Sequence, residues 1–86
     1  MNNINYVKIC DYILKNPKKS TKNCKLDLLD ILNLNDIEQV EYIIAEMIYK
    51  QIIKEKKIRW RGMFYPIYTV DLSKLDTISR QGLVRM

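Results

Sequence analysis

Apolar positions recur at helical spacing three times along the chain and then change to alternation, so the pattern predicts three helices followed by two strands. Ile4, Val7, Ile9, Cys10, Ile13 and Leu14 mark a first helix over about residues 3–15, which Asn16-Pro17 ends because proline disfavours a helical residue before it. Cys24, Leu26, Leu28, Leu29, Ile31 and Leu32 mark a second over about 21–33, capped by Ser20 or Thr21. A third helix over about 36–51 starts at NLNDIE, where Asn35 is the expected cap and Glu38 its capping-box partner. At about 100° per residue its inner face is Ile37, Val40, Ile44, Met47 and Ile48, and its outer face Glu38, Gln39, Tyr42, Ala45, Glu46, Tyr49 and Lys50.

Beyond the third helix, β-branched and aromatic residues alternate with charges around Arg61-Gly62-Met63, the natural turn of a hairpin. A two-residue loop centred on Arg61-Gly62 or on Gly62-Met63 gives the same two faces. Ile58, Trp60, Tyr65 and Ile67 form one, expected to anchor the hairpin on the helices; Lys57, Arg59, Arg61, Phe64 and Tyr68 form the other. Pro66 lacks an N–H and suits an outer edge. In the tail, Leu72, Leu75 and Ile78 after a Ser73 cap predict a short helix before Gly82, packed on the domain or on a partner.

The chain has 86 residues, enough for one domain of about residues 1–72 followed by a C-terminal segment over 73–86. Apolar residues are 48% and charged ones 29%, with two Gly and two Pro, a composition that suits an ordered core and not a linker. Nothing approaches the roughly 18 continuous apolar residues of a membrane span, and MNNINYVKICDY has no apolar run of signal-peptide length, so a cytoplasmic protein is expected. With no His, two Cys and no glycine-rich phosphate loop, the chain lacks the usual material for general acid–base catalysis, a four-ligand zinc site or nucleotide binding. No enzyme activity, metal or cofactor is expected, and Cys10 and Cys24 read as reduced structural thiols.

Three helices, a tight turn between the second and third, and a hairpin directly after the third resemble the winged helix-turn-helix order, an α+β fold, over about residues 4–71. The run EMIYKQIIKEKKIRW is similar to the junction of third helix and wing in many winged-helix proteins, which often carry Gly where this chain has Lys50-Gln51. The resemblance implies a DNA-binding module, usually dimeric, whose third helix enters the major groove with the wing beside it. The abundance of Asn, Lys and Ile fits an A/T-rich genome, on whose plasmids and other mobile elements small basic winged-helix proteins are frequent. A regulator, or an accessory protein of plasmid transfer or replication, is the matching expectation.

The charges alter that picture. The net charge is +5, which favours a polyanionic partner. Residues 36–50, however, hold Lys50 against Asp36, Glu38, Glu41 and Glu46, a net −3, so phosphates flanking a groove would repel this helix. Positive charge lies in two clusters, one around the first interhelical loop (Lys15, Lys18, Lys19, Lys22, Lys25) and one on the wing (Lys54, Lys56, Lys57, Arg59, Arg61). The expected contact is therefore with double-stranded DNA through the wing, on the backbone and the minor groove, where A/T-rich DNA is narrow and attracts Arg. The expected DNA-binding residues are Lys54, Lys56, Lys57, Arg59, Arg61, Gly62, Phe64, Lys18, Lys19, Lys22 and Lys25. Phe64 at the basic tip also suits single-stranded DNA, which prefers stacking platforms in a positive groove. Tyr42, Ala45 and Tyr49 form a stripe suited to a homodimer or partner-protein interface, or to packing beneath the C-terminal segment. A protein-interaction module without a nucleic-acid role is the reading from another class.

Overall fold

The computed structural model describes residues 3–74 and has an α+β architecture. Helices α1 (Asn3–Lys15), α2 (Thr21–Ile31) and α3 (Ile37–Tyr49) precede strands β1 (Ile53–Trp60) and β2 (Met63–Val70). This is the winged-helix order, and a further helical turn begins at residues 72–74. Asp71, not Ser73, caps that turn, accepting from the Ser73 N–H at 3.1 Å and the Ser73 hydroxyl at 2.7 Å. The expected tail helix beyond residue 74, with Leu75 and Ile78, lies outside the described residues.

Each helix boundary has a local cause. Ser20 caps α2, its Oγ accepting from the Asn23 N–H at 3.3 Å. The helix ends two residues before the periodicity suggests, because Asn33 takes φ 55° and closes it with Asn33 N to Asp30 O and Leu34 N to Leu29 O, both 3.0 Å. The cap of α3 is Asp36, one residue past the expected Asn35. Its carboxylate accepts from the Glu38 N–H at 3.0 Å, and Gln39, not Glu38, reaches back to the Asp36 N–H at 3.3 Å. At the other end Gln51 adopts φ 62°, with Gln51 N to Ile48 O and Ile52 N to Met47 O both at 2.9 Å. Left-handed closures of this kind usually carry Gly, and here a glutamine adopts the conformation.

The core joins α1 (Tyr6, Ile9, Cys10, Ile13), α2 (Cys24, Leu28), α3 (Val40, Ile44, Met47) and the hairpin base (Ile52, Ile53, Tyr68). Full burial of a side chain such as Leu28, Met47 or Ile53 contributes about 1.5–3 kcal/mol. Several expected core positions are exposed instead, namely Ile4, Leu14, Leu26, Ile31 and Ile48. Tyr6, which periodicity passed over, is buried.

Arg61 and Gly62, with φ 51° and 78°, make the two-residue type I′ turn, and the register runs from Trp60 opposite Met63 to Ile53 opposite Val70. Asp71 N–H donates to Ile52 O at 2.9 Å, continuing the ladder beyond the strands. Counted from that pair, Lys57 and Pro66 form a non-hydrogen-bonded pair, so the proline nitrogen faces away from β1 and costs no ladder bond.

The expected residues do share faces, and part of the expected anchor holds: Ile67 is 6% exposed where Ser20 bridges to it, and Tyr65 is half-buried. The helical core meets the other face, that of Ile53, Tyr68 and Val70, which continues toward the tip as Lys57, Arg59 and Phe64. Tyr68, expected outside, is 3% exposed, and Trp60, expected to anchor, is 57% exposed. Tyr68 is buried because the helices cover its face of the hairpin base, and Trp60 is exposed because of reach. An eight-residue strand spans about 25 Å, whereas a helix is about 10 Å across, so the helices cover only the base and the outer half projects into solvent.

Candidate nucleic-acid interface

Both clusters of predicted cations are tied to the hairpin. The α1–α2 loop lies along β2: Ser20 bridges to Ile67, and the Tyr65 hydroxyl donates to the Lys18 carbonyl at 3.1 Å. Lys18 therefore sits on a loop seated beside the wing, with Lys22 exposed in the first turn of α2. Lys54 and Lys56 are exposed on the β1 face that carries Trp60, and Lys57 and Arg59 are exposed on the opposite face. Cations thus flank the ribbon on both sides, and Arg61 occupies the turn.

Two of the predicted lysines are engaged internally. Lys19 pairs with Asp27 at 3.3 Å, and Lys25 with Glu41 at 3.4 Å. Asp27 also accepts from the Tyr12 hydroxyl, and that bond followed by the Lys19 charge holds its carboxyl below the usual range. Lys19 and Lys25 accordingly stabilise local carboxylates, which lowers their availability for phosphate.

At the tip, the side chains are open. Phe64 is 67% exposed and Met63 73%. The Arg59 guanidinium lies 5.9 Å from the Phe64 ring centroid, and that of Arg61 lies 5.3 Å from the Trp60 ring. Trp60 and Met63, set aside when alternation alone is read, belong to this exposed end. The signal that would have found them is distance along the strand: Trp60 lies seven residues from the buried Ile53, about 23 Å at strand rise.

Helix α3 presents the opposite character. Asp36, Glu38, Gln39, Tyr42, Ala45 and Tyr49 are exposed, with Tyr42 at 72% and Tyr49 at 87%. A shallow groove of about 420 Å³ runs beside Tyr42 at the start of the helix, lined also by Leu34, Asp36, Glu38, Gln39 and Ile43. Glu46 turns inward to accept from the Tyr6 hydroxyl, and Lys50 bends over the Tyr6 ring with its Nζ 3.3 Å from that hydroxyl. Burial, then the bond to Glu46, pushes the Tyr6 phenol well up.

Among the described residues no three His, Cys, Asp or Glu side chains converge as a metal site, and no helix is long and apolar enough to cross a membrane. Cys10 and Cys24 are both buried and free. Burial raises the Cys10 thiol to about 11 and raises that of Cys24, so both stay protonated near neutral pH and are poor nucleophiles and ligands. Comparison of the chain with family models, curated proteins and solved structures finds no match.

Proposed function

We propose that this protein is a non-enzymatic DNA-binding protein that contacts duplex DNA mainly through its wing. Lys54, Lys56, Lys57 and Arg59 lie along phosphates, the Arg61-Gly62 turn enters the minor groove, and Lys18 and Lys22 reach an adjacent stretch of backbone. The observation that carries the reading is the segregation of charge, with a projecting cationic hairpin beside an α3 whose exposed face is acidic. A regulator or an accessory protein of a mobile element fits such coarse, charge-led binding.

Replacing Arg59 and Arg61 by Ala weakens duplex binding strongly, while substitutions at Glu38 and Gln39 leave it nearly intact or improve it. With about four to six phosphate contacts, log K against log salt falls with a slope of roughly −4 to −5. Loss of binding in folded α3 variants, with wing variants unaffected, rejects the proposal. A second reading rests on the exposed Tyr42, Ala45 and Tyr49 stripe, which suits a homodimer or partner protein. Under it, duplex, A/T-rich duplex and single-stranded DNA all fail to shift in a gel.

A further inference from the structure

The two-residue turn is slender, but the ribbon behind it is not. Trp60 pairs with Met63 on one face and Arg59 with Phe64 on the other. A ribbon bearing large side chains on both faces is about 10 Å thick, whereas the minor groove of paired DNA is about 6 Å wide. Arg61-Gly62 fits such a groove; Trp60, Met63 and Phe64 do not. Exposed apolar side chains of this size carry a hydration cost that an intact groove leaves in place.

We infer that the tip takes unpaired bases, and that the preferred DNA is a duplex carrying an unpaired stretch, such as a junction of duplex and single strand. Trp60 and Phe64 lie on opposite faces of a ribbon fixed by its type I′ turn, and an arginine flanks one side of each ring at 5.3 and 5.9 Å. An aromatic ring has two faces, so each can hold a guanidinium on one and a base on the other. The guanidinium stays close enough to meet the phosphate of the stacked nucleotide. Lysines nearer the base of the wing then remain on the paired arm. This inference rests on the nucleic-acid reading above, specifies its substrate class, and places the Arg61-Gly62 turn where the paired minor groove gives way to the unpaired stretch.

Trp60 is the chain's only tryptophan, so emission excited selectively at tryptophan, beyond tyrosine absorption, reports on the tip alone. The protein is titrated with a blunt duplex, a forked duplex of equal phosphate count, and anionic phosphatidylserine vesicles. The expected result is quenching by more than half with the fork and an affinity at least about tenfold above that for the blunt duplex. In Trp60→Phe the fork preference persists by anisotropy, because a ring remains, whereas Trp60→Ala combined with Phe64→Ala brings the ratio of fork to duplex affinity near one. Equal affinity for fork and duplex without quenching overturns the inference while duplex binding stands. Binding to neither DNA overturns both proposals. A fluorescence change with vesicles and none with DNA makes the tip a lipid contact and overturns it as well.

Discussion

Alanine at Tyr68 and alanine at Trp60 should have opposite consequences from those that strand alternation suggests. Tyr68 is 3% exposed and sits among core residues of the helices and the hairpin base, so removing its ring leaves a cavity and costs about 3–5 kcal/mol, the range for a buried aromatic. Trp60 keeps more than half its surface in water. What Trp60→Ala removes is a cross-strand pair with Met63 and the ring beneath Arg61, together about 1 kcal/mol. At about 0.05–0.15 kcal/mol per residue the whole domain holds roughly 4–13 kcal/mol, so the first change threatens folding and the second does not. Urea unfolding followed by far-UV circular dichroism avoids dependence on the lost tryptophan. With a slope near 1 kcal/mol per molar urea, the midpoint falls by about 3 M or more for Tyr68→Ala and by about 1 M for Trp60→Ala. Tyr68→Phe keeps the ring and stays near the parent midpoint. Equal losses for the two alanine variants, or a larger one at Trp60, would refute the view that the hairpin is held at its base with its tip free.

Two further outcomes test the local chemistry. Asp36→Ala should cost about 1 kcal/mol, lowering the melting temperature by about 4–8 °C, whereas Asn35→Ala costs clearly less; the reverse order would place the α3 cap at Asn35. Alkali should unfold the protein early: burial raises the Cys10 thiol from 9.0 to about 11, and burial followed by the Glu55 charge raises the Tyr68 phenol from 10.0 to about 12. The unfolded chain releases these protons first, so stability is full below about pH 9 and declines as pH rises toward 12. A melting temperature that stays flat from about pH 8 to 11 would contradict this, as would fast alkylation of either thiol in the folded protein near pH 7.

Element order, the start of each helix to within a residue, and the hairpin turn were legible because they depend on neighbours in the chain. A proline after Asn16, a hydroxyl before α2, the polar NLND stretch before α3 and a glycine after Arg61 act over a few residues, although the cap of α3 proved to be Asp36 and not the expected Asn35. The left-handed closures at Asn33 and Gln51 were harder to see, since neither residue is glycine. The two cationic clusters and the acidic α3 could be counted directly. Their competition for partners could not, because Lys19 finds Asp27 eight residues away and Lys25 finds Glu41 sixteen away.

Local pattern thus set which residues share a face, which segments are helical and where charge accumulates. Which face of the hairpin meets the core was decided by the fold, because alternation places side chains on two sides of a ribbon without saying which side is covered or for how far. Helices about 10 Å wide cover the base of strands about 25 Å long. Burial therefore changes along the wing as much as across it, enclosing Ile53, Ile67 and Tyr68 and leaving Trp60, Met63 and Phe64 in the solvent.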